Sequence, residues 1–276
     1  MKDGMQNVTE HTAYLSKCIE NYVAHASKDG VVIGLSGGVD SSLVATLACK
    51  GLGAEKVMGL AMPCGGVQGD VDDACRLARW LGIEHRVTDL CDVATLVFNL
   101  VSFAIRSDLN DVTRGNIKSR LRMVVLYACA NQTNRLVIGT TNRSEMEVGY
   151  FTKGGDGFVD FEPIAEYWKG EIYEMARELE IGTVVPNVLV KPPSAGLWDG
   201  QKDEDELPPY EQLDAYLKSR LDPDAAFACA GEFDLDGVEN LILSTEHKRQ
   251  VPDICPRLVD ASLVQLSYRH SLKVES

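Results

Sequence analysis

Long apolar runs are absent from the chain. The longest, residues 93–105, is broken by Thr95, Asn99 and Ser102, and it falls short of the roughly 20 residues a helix needs to cross a bilayer. The opening residues, MKDGMQNVTEHTAYLSK, hold no apolar stretch of the kind that directs secretion. Paired cysteines are missing as well. The 8 cysteines (Cys18, Cys49, Cys64, Cys75, Cys91, Cys129, Cys229, Cys255) are scattered and no CxxC occurs. Iron–sulfur, thiolation and structural zinc centres of that spacing are therefore unsupported, and reduced, buried thiols in a cytoplasmic protein are expected. Positive charge is scarce: 27 Lys and Arg against 41 Asp and Glu give a formal net charge of −14. That balance argues against a broad nucleic-acid or anionic-membrane surface, because it repels phosphates at long range. A local basic pocket for one nucleotide remains compatible with it. Two phosphate-binding signatures, GxxxxGK[ST] and GxGxxG, are absent.

What is present is an ordinary globular composition, 45% hydrophobic and 25% charged over 276 residues. Residues 1–30 show helical spacing of Val8, Tyr14, Leu15, Ile19, Tyr22 and Val23. Short apolar runs at 31–35, 56–62, 84–87 and 135–140 predict four strands. Helical patterns over 43–49, 70–81, 91–106, 114–131 and 169–179 alternate with them or follow. That alternation predicts an α/β fold, a single doubly wound parallel sheet with helices on both faces. No linker divides the chain, so one domain over 1–276 is expected. Residues 191–209 break the pattern with Pro192, Pro193, Gly196, Gly200, Pro208 and Pro209 around the acidic run 203–206. A loop of that length in a compact domain predicts a mobile or functional segment. From Tyr210 onward short helices are expected.

The turn Ser36-Gly37-Gly38-Val39-Asp40-Ser41-Ser42 lies between a predicted strand and a predicted helix. A helix N-terminus offers unpaired N–H groups and partial positive charge, and adjacent glycines let an anion approach the backbone. Asp40 would repel a bare phosphate, but suits a magnesium ion that bridges phosphates. The plain alternative is a capped turn.

SGGVDSS resembles the SGGxDS signature of the N-type ATP pyrophosphatases, the PP-loop family, which cleave ATP between the α- and β-phosphates. Residues 114–123, RGNIKSRLRM, resemble the GNxKAR-x-RM segment of NAD synthetases. Gly139-Thr140, Glu145 and residues 149–157, GYFTKGGDG, resemble that family's GT…AE…TGFFTKYGDG block, and residues 245–249 resemble its TEHKR. Four collinear motifs thus span residues 34–249. The resemblance implies a Rossmann-like fold of the adenine nucleotide alpha hydrolase type and an ammonia-dependent ligase. Deamido-NAD, ATP and ammonia would give NAD, AMP and pyrophosphate through a NAD-adenylate. Other readings are a GMP-synthetase-like PP-loop ligase and a nucleotide-binding protein without activity.

Carried over position by position, Gly34, Leu35, Ser36, Gly37, Gly38, Val39, Asp40 and Ser41 would cradle ATP, with Thr140, Lys169 and Ser194 as further contacts. Asp40 and Glu145 would ligate Mg2+. Arg120, Lys153, Asp160, His247 and Lys248 would hold deamido-NAD, and Asp156 would hold and deprotonate ammonium, so that Asp156 and Lys153 are the catalytic pair. Taken singly, Arg120, Lys153 and Lys169 read as solvated charges, Asp160 as a cap, Asp156 as a turn former and His247 as a surface histidine. The sequence departs from the family at residues 141–144 (Thr-Asn-Arg-Ser for Asp-His-Ala-Ala), at Gly154 for Tyr and in the loop from Ser194 to Trp198. No room exists before residue 31 for a glutaminase domain, so free ammonia is expected, with a separate glutaminase subunit as the alternative. The resemblance also implies a homodimer through the helices at 91–106 and 114–131, the alternative being that both are core helices of a monomer. Residues 191–209 are expected to be a lid, poorly ordered without ligand.

Overall fold

The computed structural model describes residues 5, 7–65, 68–194, 196, 198, 200–221 and 233–250. Four short strands, β1 (Val31–Gly34), β2 (Val57–Ala61), β3 (Glu84–Val87) and β4 (Leu136–Ile138), form one parallel sheet in the order β3-β2-β1-β4. β1 is flanked on both sides, Val31 standing opposite Val57 and Leu136. A strand paired on both edges and covered on both faces has no polar side to show, which is why Val31-Val32-Ile33 reads as an unbroken apolar run. Its residues alternate between two cores. Val31 and Ile33 point to one with Leu15, Ile19, Leu43, Leu47, Ile172 and Met175, and Val32 to the other with Leu60, Met62, Ala94 and Val137.

The first core is covered by α1 (Val8–His25), α2 (Val39–Leu52), α3 (Gln68–Leu81), α7 (Lys169–Glu178) and the single-turn α8 (Ile181–Val184). On α1 the buried residues Thr12, Leu15, Ser16, Ile19 and Val23 recur at three- and four-residue steps. The second core lies under α4 (Cys91–Ile105) and α5 (Asp111–Gln132). A third cluster stands beside the sheet, where Val148, Trp168, Leu207, Leu213, Leu217, Val238 and Ile242 join α6 (Arg143–Val148), α9 (Tyr210–Leu221) and α10 (Leu235–Arg249). No helix among the described residues is long and apolar enough to cross a membrane.

The expected strands and helices are present: β3 matches at both ends, the other ends coincide or shift by up to four residues, and α1 occupies only Val8–His25 of the expected 1–30. Three differences matter. The segment after β4 holds α6, which a six-residue length hides from periodicity. The C-terminal helices α9 and α10 are longer than expected, at 12 and 15 residues. On α4 only Ala94 is buried, so most of that helix's apolar side chains, Leu96, Leu100 and Phe103 among them, stand outside the second core. Leu47 is fully buried in the first core. Leu47→Ala is expected to cost about 2–5 kcal/mol in denaturant unfolding; an unchanged midpoint would contradict the packing described.

Candidate active site

β1 delivers the chain into a turn that its glycines make sharp. Gly37 sits at φ +78°, and a Cβ there would lie 2.4 Å from the Asp70 carbonyl oxygen. Glycine alone fits that approach. Gly38 is the N-cap of α2 and brings no side-chain cap, which leaves the helix end for an external anion. The turn is held by its own hydroxyls: Ser36 Oγ and Ser41 Oγ are 2.9 Å apart, the Gly38 N–H donates to Ser36 Oγ, and Ser42 Oγ donates to the Gly38 carbonyl at 2.7 Å. Gly34, Leu35, Ser36, Gly38, Val39, Asp40 and Ser41 line a cavity of about 560 Å3, while Gly37 is turned against Asp70. Thr140, Lys169 and Ser194 line the same cavity.

Asp40, in the first turn of α2, meets residues from the ends of two other elements. Its Oδ2 accepts from Lys169 Nζ at 2.6 Å, and its Oδ1 accepts from Asn142 Nδ2 at 3.0 Å. Glu145 Oε1 lies 3.5 Å from the same Lys169 Nζ. Lys169 is only 2% exposed, so its charge is sustained by these carboxylates rather than by water. Burial pulls its pKa down, but Asp40 and Glu145 outweigh that and hold it above the ordinary lysine value. For Glu145 burial dominates and pushes the carboxyl up to about 8; Lys169 opposes the rise and Asp40 adds to it. The Lys169 ammonium also lies 5.0 Å from the centroid of the Tyr210 ring.

Local capping fixes this geometry. Asn142 and Glu145 form a capping box at the start of α6, each side chain accepting from the other's backbone N–H. Asn142 therefore holds the helix with its oxygen and Asp40 with its nitrogen. Asp214 of α9 accepts from Ser144 Oγ and from the Gly170 N–H, and Ser144 Oγ accepts from the Lys169 N–H. One buried carboxylate thus ties the starts of α6 and α7 together. Sequence reasoning missed Asn142 and Asp214. The Asn-x-x-Glu pattern at 142–145 was a usable signal for the first.

At the other end of the cavity, Asp156 Oδ1 accepts from Ser119 Oγ at 2.6 Å and from the Thr152 N–H at 3.0 Å, and Thr152 Oγ1 donates to Asn116 Oδ1. Asp156, Ser119, Asn116, Arg122 and Lys248 are wall residues here; Lys248 Nζ donates to the Gly149 and Phe151 carbonyls. Arg120, Lys153 and His247 do not line this cavity. They form a chain of their own, the Arg120 guanidinium donating to the Lys153 carbonyl and Lys153 Nζ to the His247 carbonyl. Asp160 is also outside the walls. Its carboxylate accepts from the Val137 N–H at 2.8 Å and from the Tyr127 hydroxyl at 3.3 Å, tying α5 to β4.

The donor set at Asp40 and Glu145 suits magnesium. Two hard carboxylates from the first turns of α2 and α6 face one point now held by a lysine ammonium, beside the anion-receptive turn. Among the described residues no group of three or more His, Cys, Asp or Glu side chains converges on a metal position. Asn142→Ala removes the α6 cap and one of Asp40's two partners. It is expected to lower stability by about 1 kcal/mol, read by denaturant unfolding, and no loss would mean that the cap is idle.

Residues 11–252 match the family model described as NAD synthase. The NH(3)-dependent NAD(+) synthetase of Pyrococcus furiosus is 42% identical over 246 residues, 87% of this chain and 92% of that one. The enzyme of the same name from Methanosarcina acetivorans is 42% identical over 86% of this chain and 93% of its own. Among solved structures, an NMN synthetase from Francisella tularensis superposes with a TM-score of 0.79 at 33% identity, over 92% of this chain and all of that one. An NH3-dependent NAD synthetase from Campylobacter jejuni, in complex with nitrate, gives 0.76 at 29% identity over 91% and 100%. With a glycine turn open to an anion, two acids converging beside it and these likenesses along most of its length, the chain belongs to the NAD synthase family.

Proposed function

We propose that the chain is a cytoplasmic, magnesium- and ATP-dependent ligase that converts deamido-NAD and ammonia to NAD, with AMP and pyrophosphate as by-products. Asp40 and Glu145, held on one point by Lys169, carry this reading. A carboxylate is a poor electrophile; attack of its oxygen on the α-phosphorus of ATP makes AMP its leaving group, and ammonia then attacks the acyl carbon. Mg2+ held by Asp40 and Glu145 would neutralise phosphate charge. Gly34, Leu35, Ser36, Gly37, Gly38, Val39 and Ser41, with Thr140 and Ser194, seat the triphosphate, and Lys169 adds a fixed positive charge where negative charge grows. Asp156, held by Ser119 and the Thr152 N–H, draws in ammonium in this reading.

Arg120, Lys153, His247 and Lys248 hold deamido-NAD in this reading, and Asp160 reaches it only beyond its bonds to Val137 and Tyr127. The first three stand outside the cavity wall, in keeping with a dinucleotide site completed by a second copy. Leu96, Leu100 and Phe103 form an exposed apolar stripe on α4, Phe103 being 86% exposed, and Val112 and Val124 of α5 are exposed too. This supports a homodimer. Residues 191–209 act as the lid; their far end is anchored, since Gln201 and Leu207 are buried, so closure falls to the part carrying Ser194. The whole chain works as one catalytic domain.

Turnover with deamido-NAD, ATP, magnesium and ammonium chloride tests the activity. NAD should form with ammonium and not with glutamine. Nicotinic acid mononucleotide is the control acceptor, because one structural neighbour is named an NMN synthetase. Asp40→Asn should cut turnover by more than about 100-fold while the fold survives by circular dichroism; undiminished turnover would refute the magnesium assignment. Sedimentation of the wild type should give a dimer and Phe103→Asp a monomer. A monomeric wild type at micromolar concentration would contradict the shared site.

A further inference from the structure

One face of α5 forms a wall of the cavity. Val112, Asn116, Ser119, Arg122 and Leu126 recur on it at three- and four-residue steps, and all of them line the space. Ser119 Oγ holds Asp156, so Arg122, one turn further along the same face, stands at the Asp156 end. Arg122 Nε donates to the Met62 carbonyl at 3.1 Å, a bond that fixes the plane of the guanidinium. Its two terminal nitrogens have no protein partner among the described residues, yet they are not sealed in the packing. Burial pulls the pKa of this arginine below its ordinary value, while Cys64 and Asp156 oppose the fall.

The other cations of the wall are engaged. Lys169 pairs with Asp40 and Glu145, Lys191 pairs with Asp70, and Lys248 donates to two carbonyls. A half-buried guanidinium with two unmet nitrogens has given up water without replacing it, and an anionic ligand would supply what is missing. Because Nε is committed to Met62, the end-on fork is what remains. Two parallel donors in one plane complement a carboxylate, whose two oxygens lie side by side. The anion-receptive turn stands at the opposite end of the cavity, so in the ligase reading the triphosphate has a seat of its own.

We propose that Arg122 selects deamido-NAD over NAD, its terminal nitrogens holding the nicotinate carboxylate. The proposal rests on the ligase reading above and adds the contact by which substrate is told from product. The fork takes the inner lone pairs of the carboxylate and leaves an outer one to attack the α-phosphorus; the new O–P bond forms as the P–O bond to pyrophosphate breaks. In the carboxamide product one of the two oxygens has become an NH2 group. That group turns a donor toward the donors of the fork, so the contact that seats the substrate disfavours the product.

Deamido-NAD and NAD differ only at that group, so the ratio of their dissociation constants isolates the contact. By titration calorimetry on the full chain, the wild type should bind deamido-NAD about 10–100-fold more tightly than NAD. Arg122→Gln keeps a donor for the Met62 carbonyl and should bring the two affinities within about 2-fold of each other. Arg122→Lys, a charge without the fork, should fall between. Both variants should keep ATP affinity within about 2-fold of wild type. A retained preference in Arg122→Gln, or equal binding of the two dinucleotides by the wild type, would overturn the proposal. Weakened ATP binding with the preference intact would overturn it as well and give the fork to a phosphate. Should Arg122→Gln fail to fold by circular dichroism, Arg122→Lys decides: a reduced preference supports the proposal and an undiminished one overturns it. A wild type that binds neither dinucleotide would instead overturn the ligase reading.

Discussion

The site depends on one buried ammonium between two carboxylates. Lys169 is the first residue of α7, where the helix dipole disfavours a cation, and burial disfavours it again. Asp40 and Glu145 compensate for both. In return the lysine keeps two acids from α2 and α6 on a common point, although they would otherwise repel. Removing one member of such a buried set typically costs about 3–5 kcal/mol. The arrangement therefore keeps two acidic side chains together beside the glycine turn, the state that a metal–triphosphate complex would need to find in the proposed function.

Around that pair the fold works as a set of clamps. The sheet aims β1 at the turn, Asn142 bridges α6 to Asp40, and Asp214 fastens α6 and α7 from behind. Asp156 is fixed separately by Ser119 of α5. The cavity thus has two ends built from different helices, which the proposed function gives to phosphates and to nitrogen. The Glu162 carboxyl lies against the wall of Gly139, Thr140 and Thr141, with Asp156 near enough to raise its pKa.

Much of this was legible in the sequence because it is local. An apolar run of four residues, a glycine pair and a following helical pattern specify β1, the turn and α2 without knowledge of distant contacts. Asp40, Glu145 and Lys169 were recognised by motif, and their convergence is a finding of the tertiary structure. What escaped depends on long separations or short elements. α6 is too short to show a period, and Asp214 acts on Ser144 seventy residues before it. Glu162 reads as an unremarkable polar residue until Gly139 is seen to make space for it. The apolar pattern of α4 was plain, but which side of it would remain uncovered was not. Asp160, assigned to the dinucleotide by motif, also accepts from the Val137 N–H of β4 and from Tyr127, a tie that no spacing reveals.

The most direct measurement is anomalous diffraction from crystals grown with ATP and manganese, an X-ray-visible substitute for magnesium. The account predicts a manganese peak bonded to an oxygen of Asp40 and an oxygen of Glu145, with the triphosphate over residues 36–41. A peak bonded to neither carboxylate, with Lys169 still pairing both, would contradict it.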